Sequence, residues 1–359
     1  MSEVSKIYLS DKHALQMADH LLEAEGIHRD ANLDYLCGIY DDDMQLIAVG
    51  GCFENTLRCF AVDSHHRGEA LLNTIVTHLL EIQQERGNMH CFVYTKPSTY
   101  RLFESLGFYT IAAVPGELVF LENERRGFAS YLDHLAKESE HSQAAAGFTA
   151  NESASVPAGA IIMNANPFTL GHRYLVEQAA RDCRVLHLFI ISDDASLFPT
   201  SVRRQLVEAG TADLKNIVYH ATGSYLISRA TFPSYFQKDS SAVSRGHALL
   251  DTMLFERIAT HLGITDRYVG EEPFSQTTSL YNDVMLSELP QHGITPHVIP
   301  RRENDGEPIS ASEVRRLLQG DDWSKLQSLV PQTTLDFLQS PAAAPIIERI
   351  KATADVIHH

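Results

Sequence analysis

The sequence predicts a two-domain α/β protein. A mixed α/β domain is expected over residues 1–138, a linker over 139–158, and a Rossmann-like, doubly wound parallel-sheet domain over 159–359. Three observations carry this reading. Short strand-like runs alternate with helical patterns up to about residue 138. The next stretch turns to Ser, Ala, Glu and Gly, a linker composition. From Gly159 onward, all-apolar runs alternate with helical stretches, as in a parallel sheet with helices on its faces. A length of 359 residues suits about two domains.

In the first domain, strands are expected at 35–39, 46–53, 57–62, 90–94 and 109–113, with helices at 12–24, 68–84 and 100–106. The Asp41-Asp42-Asp43 triplet separates two strand-like runs and reads as a hairpin turn. In the second domain, residues 160–163 form a short apolar run of the kind expected for a buried parallel strand. A helix is expected over 171–181, where Leu175 and Ala179 are four apart, and further strands at 185–191, 217–219, 267–269 and 297–299.

Hydrophobic residues make up 44% of the chain, enough for sizeable cores. The polar start Met1–Lys6 lacks the apolar core of a signal peptide, and the run over 185–191 is too short to span a bilayer, so a cytoplasmic protein is expected. The five cysteines are odd in number and sit at no metal-ligand spacing, which predicts buried free thiols and no metal site. His65-His66 has no third ligand nearby and reads as solvated loop. A formal net charge of −17 argues against nucleic acid and anionic membrane as partners. A phosphate-bearing ligand must then meet local positive groups, with Arg203-Arg204, Arg301-Arg302 and Arg315-Arg316 as candidates.

The string from Asn164 to His172 follows the first apolar strand, turns at Pro167 and enters a helix near Thr169. A helix N-terminus offers unpaired N–H groups and the positive end of its dipole, so it favours phosphate. Gly171 permits close approach, and His172 in the first turn can donate to a phosphate oxygen. Asn164, Asn166 and Phe168 are expected to line the same ATP site. A second element runs from Ile309 to Arg315, where Ser310 and Glu313 read as a capping box. Together the two strings resemble the motifs of the nucleotidyltransferase superfamily. Thr169, Gly171 and His172 match its Thr/His-x-Gly-His signature. Ser310, Ser312 and Arg315 match its Ile-Ser-Ser-Thr-x-x-Arg element, with Ala311 departing from the usual Ser. The resemblance implies catalytic roles for Thr169, His172 and Arg315, phosphate contacts from Ser310 and Ser312, and ATP as substrate with Mg²⁺. The chemistry needs no protein nucleophile: an oxygen attacks the α-phosphorus in line and pyrophosphate leaves, so catalysis is positioning and charge stabilisation.

Longer strings narrow the acceptor. Residues 159–175, 227–236 and 269–274, with the order of domains, resemble the citrate lyase ligase family over nearly the whole chain. That resemblance implies activation of acetate as acetyl adenylate. The acetyl group then passes to the thiol prosthetic group on the citrate lyase acyl carrier subunit, releasing AMP. Arg229, Tyr235 and Lys238 are candidates for the acetate pocket. The nucleotidyltransferase motifs alone fit two other readings: adenylyl transfer to a coenzyme precursor, or a nucleotide-binding protein without turnover.

Residues 57–108 resemble the GCN5-type N-acetyltransferases. In that fold an Arg/Gln-x-x-Gly-x-Gly/Ala loop cradles the pyrophosphate of coenzyme A; here His65 stands first, Arg67 follows within the loop, and Gly68 and Ala70 fit. Phe103 occupies the position often held by a Tyr general acid and has no proton to give, while Tyr100 lies one helical turn earlier. The resemblance therefore implies binding of a coenzyme-A-like arm rather than acetyl transfer by the usual route.

Overall fold

The computed structural model describes residues 3–66, 70–145, 156–193, 196–228, 245–272 and 276–353. The chain forms two compact units, Met1–Gly127 and Phe128–His359.

The first unit runs β1 (Val4–Ile7), α1 (Lys12–Ala24), β2 (Tyr35–Tyr40), β3 (Leu46–Phe53), β4 (Thr56–Val62), α2 (Leu71–Glu85), β5 (Phe92–Thr95), α3 (Tyr100–Ser105), β6 (Tyr109–Val114) and β7 (Leu118–Glu122). Its sheet has the order β1-β2-β3-β4-β5-β7-β6. Local chemistry sets the elements. Asp11 caps α1 by accepting from the N–H groups of His13 and Ala14. Asp41 Oδ1 accepts from the N–H groups of Asp43 and Gln45, which makes the expected β2–β3 turn. The one parallel pair, β4 with β5, joins only Thr56 to Phe92 and Leu57 to Val93. The strand, helix and strand of β4–α2–β5 follow the order implied by the acetyltransferase resemblance. Two strands were not expected. β1 buries one of its four residues and shows little pattern. β7 is buried throughout because it is enclosed between β5 and β6.

The second unit runs α4 (Gly127–Ala145), β8 (Ala158–Met163), α5 (Leu170–Asp182), β9 (Val185–Ile190), α6 (Thr200–Thr211), β10 (Ile217–Ala221), α7 (Arg245–Leu262), β11 (Asp266–Gly270), α8 (Gln276–Glu288), β12 (Thr295–Ile299), a hairpin of β13 (Glu303–Asn304) and β14 (Glu307–Pro308), α9 (Ala311–Gln319), α10 (Gln332–Leu338) and α11 (Ala344–Ala352). All five predicted strands occur in one parallel sheet of order β10-β9-β8-β11-β12. Side chains alternate across it. Ile161, Met163, Leu186, Leu188 and Ile190 pack with α5, α6 and α9–α11, whereas Ile162 and Ile191 pack with α7 and α8. This is the doubly wound, Rossmann-like arrangement the sequence predicts.

The division after Gly127 falls earlier than the expected boundary at 138, and α4 runs into the expected linker as far as Ala145. The reason is tertiary. Phe128 and Leu135 are buried, the Tyr131 hydroxyl donates to the Ala221 carbonyl at 2.9 Å, and Glu138 meets the ring of His220 at 2.7 Å. All five cysteines are buried and free, as expected. Burial pushes the thiols of Cys37, Cys52 and Cys59 up to about 12, which disfavours the reactive thiolate.

Candidate nucleotide site

The sheet of the second unit creates a crevice at its carboxyl edge. β8 pairs with β9 along its whole length, from Ala158–Val185 to Met163–Ile190. On its other side it pairs with β11 only at Gly159–Asp266 and Ala160–Arg267. The carboxyl halves of β8 and β11 are thus unjoined where the strand order reverses, the position at which open α/β sheets bind ligands. The loops leaving β8, β9, β11 and β12 end there.

The loop after β8 is fixed from below. Arg203, fully buried on α6, donates to the carbonyls of Phe198, Asn164, Ile191 and Asp193 and to the side chains of Asn164 and Thr200. This corrects the expectation that Arg203 serves a ligand phosphate: its guanidinium is occupied holding the ends of β8 and β9 together. Arg204 pairs with Glu208 on the same helix, and Arg316 with Glu313. The Asn164 side chain also donates to Ser196, and Asn166 Oδ1 accepts from the Phe198 N–H. Phe168 is fully buried against Gly210, where an added Cβ would come within 2.6 Å of its ring. The side chains of Asn164, Asn166 and Phe168 therefore shape the loop that borders the site.

That loop delivers Thr169 to the start of α5. The Thr169 hydroxyl accepts from the His172 N–H, and His172 Nδ1 in turn accepts from the Thr169 N–H at 3.1 Å. This reciprocal cap assigns the proton of the neutral ring to Nε2. Burial first, and then the charges of Arg301 and Arg315, push His172 down to about 4. The ring is neutral at physiological pH, stacks beside Phe168 at 5.8 Å, and presents Nε2–H as a donor.

The second motif locks onto the first. Ser310 caps α9 by accepting from the Glu313 N–H at 3.1 Å. The capping box is only half formed, because the Glu313 carboxylate is drawn to Arg316 at 2.6 Å. Buried Arg315 donates to the Asn166 carbonyl and to Ser312 Oγ. Gly171 faces the Ile309 carbonyl, which a Cβ would approach to 2.9 Å. The glycine is thus required by contact between the two motifs themselves. Arg301, after β12, has its guanidinium oriented by the Glu271 carbonyl at 2.7 Å and the Glu272 carboxylate at 2.8 Å. The sequence suggested Arg301 only as one of several cations. Its two acidic neighbours, in the loop after β11, carried no local signal that would have joined them to it.

Arg229, Tyr235 and Lys238 lie outside the described residues, as do Arg67 and Gly68. In the first unit, Asp63 Oδ1 accepts from the His65 N–H and lies 3.1 Å from His66 Nδ1. Ala70 precedes α2 in the left-handed region at φ 57°, and α2 has no side-chain cap. Phe103 is buried in the core, as a residue with no proton to exchange can be. Among the described residues, no group of three His, Cys, Asp or Glu side chains could hold a metal ion, and no helix is long and apolar enough to cross a membrane.

Residues 158–338 match the family of citrate lyase ligase C-terminal domains. Curated relatives include the citrate (pro-3S)-lyase ligase of Klebsiella pneumoniae, 38% identical over 93% of this chain and 95% of the relative. That of Escherichia coli K12 is 40% identical over 83% of each chain. Solved structures similar to part of the chain include Escherichia coli ElaA, with TM-score 0.30 and 14% identity over 34% of this chain and all of that one. The ribosomal-protein-S18-alanine N-acetyltransferase of Escherichia coli gives TM-score 0.28 and 16% identity over 34% of this chain and 91% of that one.

Proposed function

The chain belongs to the citrate lyase ligase family, and we propose that it uses ATP to acetylate the thiol prosthetic group on the citrate lyase acyl carrier subunit. The observation that carries the mechanism is the union of the two motifs: Arg315 bonded to the Asn166 carbonyl, and His172 held neutral beside Arg301 and Arg315. An acetate oxygen attacks the α-phosphorus, the bond from that phosphorus to the bridging oxygen of pyrophosphate breaks, and pyrophosphate leaves. Thr169 holds His172 so that Nε2–H can donate to a phosphate oxygen. Arg301 and Arg315 oppose the charge that develops there. No side chain forms a covalent bond. Mg²⁺ would be held chiefly by the phosphates of ATP, since such ions take few protein ligands, and would neutralise the leaving group. The carrier thiolate then attacks the acetyl carbonyl and AMP departs.

The first unit is assigned the coenzyme-A-like arm of the carrier. Its support is the left-handed Ala70 before a helix that shows no side-chain cap among the described residues; the N–H groups of such a helix start suit a pyrophosphate. The decisive experiment is incubation with ATP, acetate and deacetylated citrate lyase, scoring recovery of lyase activity. Recovery requiring both ATP and acetate is expected. AMP formation driven by a coenzyme precursor in place of acetate would reassign the acceptor. Gly68→Glu should block carrier acetylation while leaving acetate-dependent pyrophosphate exchange intact; equal loss of both would remove the division of labour.

A further inference from the structure

Beneath the nucleotide crevice lies a charged side chain that the mechanism above does not use. Arg267 on β11 is 2% exposed, and neither its Nε nor its Nη1 has a hydrogen-bond partner among the described residues. A buried guanidinium with idle donors is costly, because desolvation is not offset by bonding. Its surroundings meet it only in part: the guanidinium bonds the Tyr281 hydroxyl and faces the charge of Asp251, which leaves Nε and Nη1 over. The guanidinium lies over the Phe255 ring at 5.0 Å. That carboxylate, Asp251, is fully buried and also meets other donors: Oδ1 accepts from the Ile227 N–H at 2.6 Å and Oδ2 from the Tyr281 hydroxyl at 3.0 Å.

The place of Arg267 gives it a use. It pairs in register with Ala160, in the last joined step between β8 and β11 before the crevice opens. Two residues further along β8, on the same face, Ile162 stays only half-buried although its strand is the centre of the sheet. Around Ile162 pack Ile191, Ile227, Ala248 and the ring of Tyr281. A cation with unused donors therefore lies on the same face of the sheet as these apolar side chains, below the carboxyl edge where the α-phosphate is to be placed. A short carboxylate with an apolar tail fits this chemistry.

We infer that Arg267 is the carboxylate-binding residue for acetate, with Ile162 and its neighbours receiving the methyl group. This rests on the acetate-activating reading above. One carboxylate oxygen accepts from the guanidinium and the other faces the crevice, where it attacks phosphorus. The single guanidinium and its apolar rim select a small monocarboxylate. Asp251 and Tyr281 are positioning residues, since each reaches the ligand only through Arg267 or the pocket wall.

Arg267→Met separates this role from a structural one. The variant removes the donors and keeps an apolar stem, but it also deprives buried Asp251 and Tyr281 of the guanidinium, which costs stability. The expected result is a lowered unfolding midpoint in a variant that still folds, with KM for acetate in ATP–pyrophosphate exchange raised roughly tenfold or more and KM for ATP unchanged. Arg267→Lys, which keeps the charge, should fall between. Acetate, against chloride at equal ionic strength, should raise the midpoint of wild type and not of Arg267→Met. An unchanged acetate KM in Arg267→Met overturns the inference. So does a variant in which all substrates are affected alike, or a wild-type midpoint indifferent to acetate. Absence of acetate-dependent exchange in wild type would sink the acetate-activating reading instead, and the midpoint shift would still decide the pocket.

Discussion

Two helix starts in this chain are assigned phosphate groups, and they are built in opposite ways. The start of α5 is over-determined: Thr169 and His172 cap each other, Gly171 touches the Ile309 carbonyl, and Arg315 reaches across from a distant motif to hold Asn166. Among the described residues the start of α2 shows only backbone, with Ala70 at positive φ, no side-chain cap, and His65 87% exposed. The contrast separates a place for chemistry from a place for holding. In-line displacement needs donors fixed to a fraction of an ångström, and fixed donors need partners of their own. Cradling a pyrophosphate needs only N–H groups left open to it.

The largest effect that tests this contrast belongs to His172. His172→Ala removes a preorganised donor, and acetate-dependent pyrophosphate exchange should fall about 100- to 1000-fold. A loss under tenfold would mean that α5 also merely holds its ligand. Next comes Gly171→Ala. The new methyl would press on the Ile309 carbonyl at 2.9 Å, and backbone cannot turn away as a side chain can. The two motifs should separate, at a stability cost of about 1–3 kcal/mol with weakened ATP binding. Denaturant unfolding and ATP titration check both parts, and a variant of unchanged stability would break the claim that the motifs are in contact.

The parts of the fold set by local chemistry were legible. The predicted helix over 12–24 coincides with α1, because Asp11 supplies its cap and the apolar spacing its buried face. The apolar runs at 160–163 and 185–191 became the central strands β8 and β9 because burial on both faces suits them. What the sequence hid is held by partners far along the chain. Arg203 reads as a free cation until its bonds to Asn164 and Ile191 place it beneath the loop. Arg267 reads as one polar residue in a strand, with nothing in the sequence to join it to Asp251 and Tyr281. The first part of α4 was assigned to the first domain and its end to the linker, yet Glu138 docks on His220, 82 positions away. At the site itself, Thr169, Gly171, His172 and Arg315 were visible by motif, whereas the pairing of Arg301 with Glu272 required the sheet to bring two loops together.

A smaller effect follows from protons. His172 is held down to about 4 by burial and by Arg301 and Arg315, and His187, fully buried on β9, down to about 3 by burial and the neighbouring His220. Both lie below the ordinary histidine value near 6.5. As pH falls below that value the unfolded chain takes up protons that the native state refuses, so stability is lost from pH 6.5 toward about 4 for His172 and on toward about 3 for His187. Both residues belong to the second unit, so acid lability should reside there. Thermal unfolding followed from pH 7.5 to 4.5 should show a falling midpoint. A flat midpoint across that window would show that these rings are not held neutral.

The smallest effect sits at the other helix start and tests whether α2 depends on backbone shape alone. Ala70 adopts φ 57°, a conformation that disfavours a Cβ. Ala70→Gly removes that strain but adds freedom to the unfolded chain, and the two terms nearly offset. A net gain of roughly 0.5 kcal/mol is expected, with carrier acetylation within about twofold of wild type. Ala70→Val keeps the site apolar but places a branched side chain at positive φ, which it resists. It should lose both stability and carrier acetylation while pyrophosphate exchange stays at the wild-type rate, since that step is assigned to the second unit. The pair of variants therefore reads the loop's dihedral directly. If glycine impaired carrier acetylation as much as valine, the methyl of Ala70 itself would be making the contact, and α2 would prove to be as closely fitted as α5.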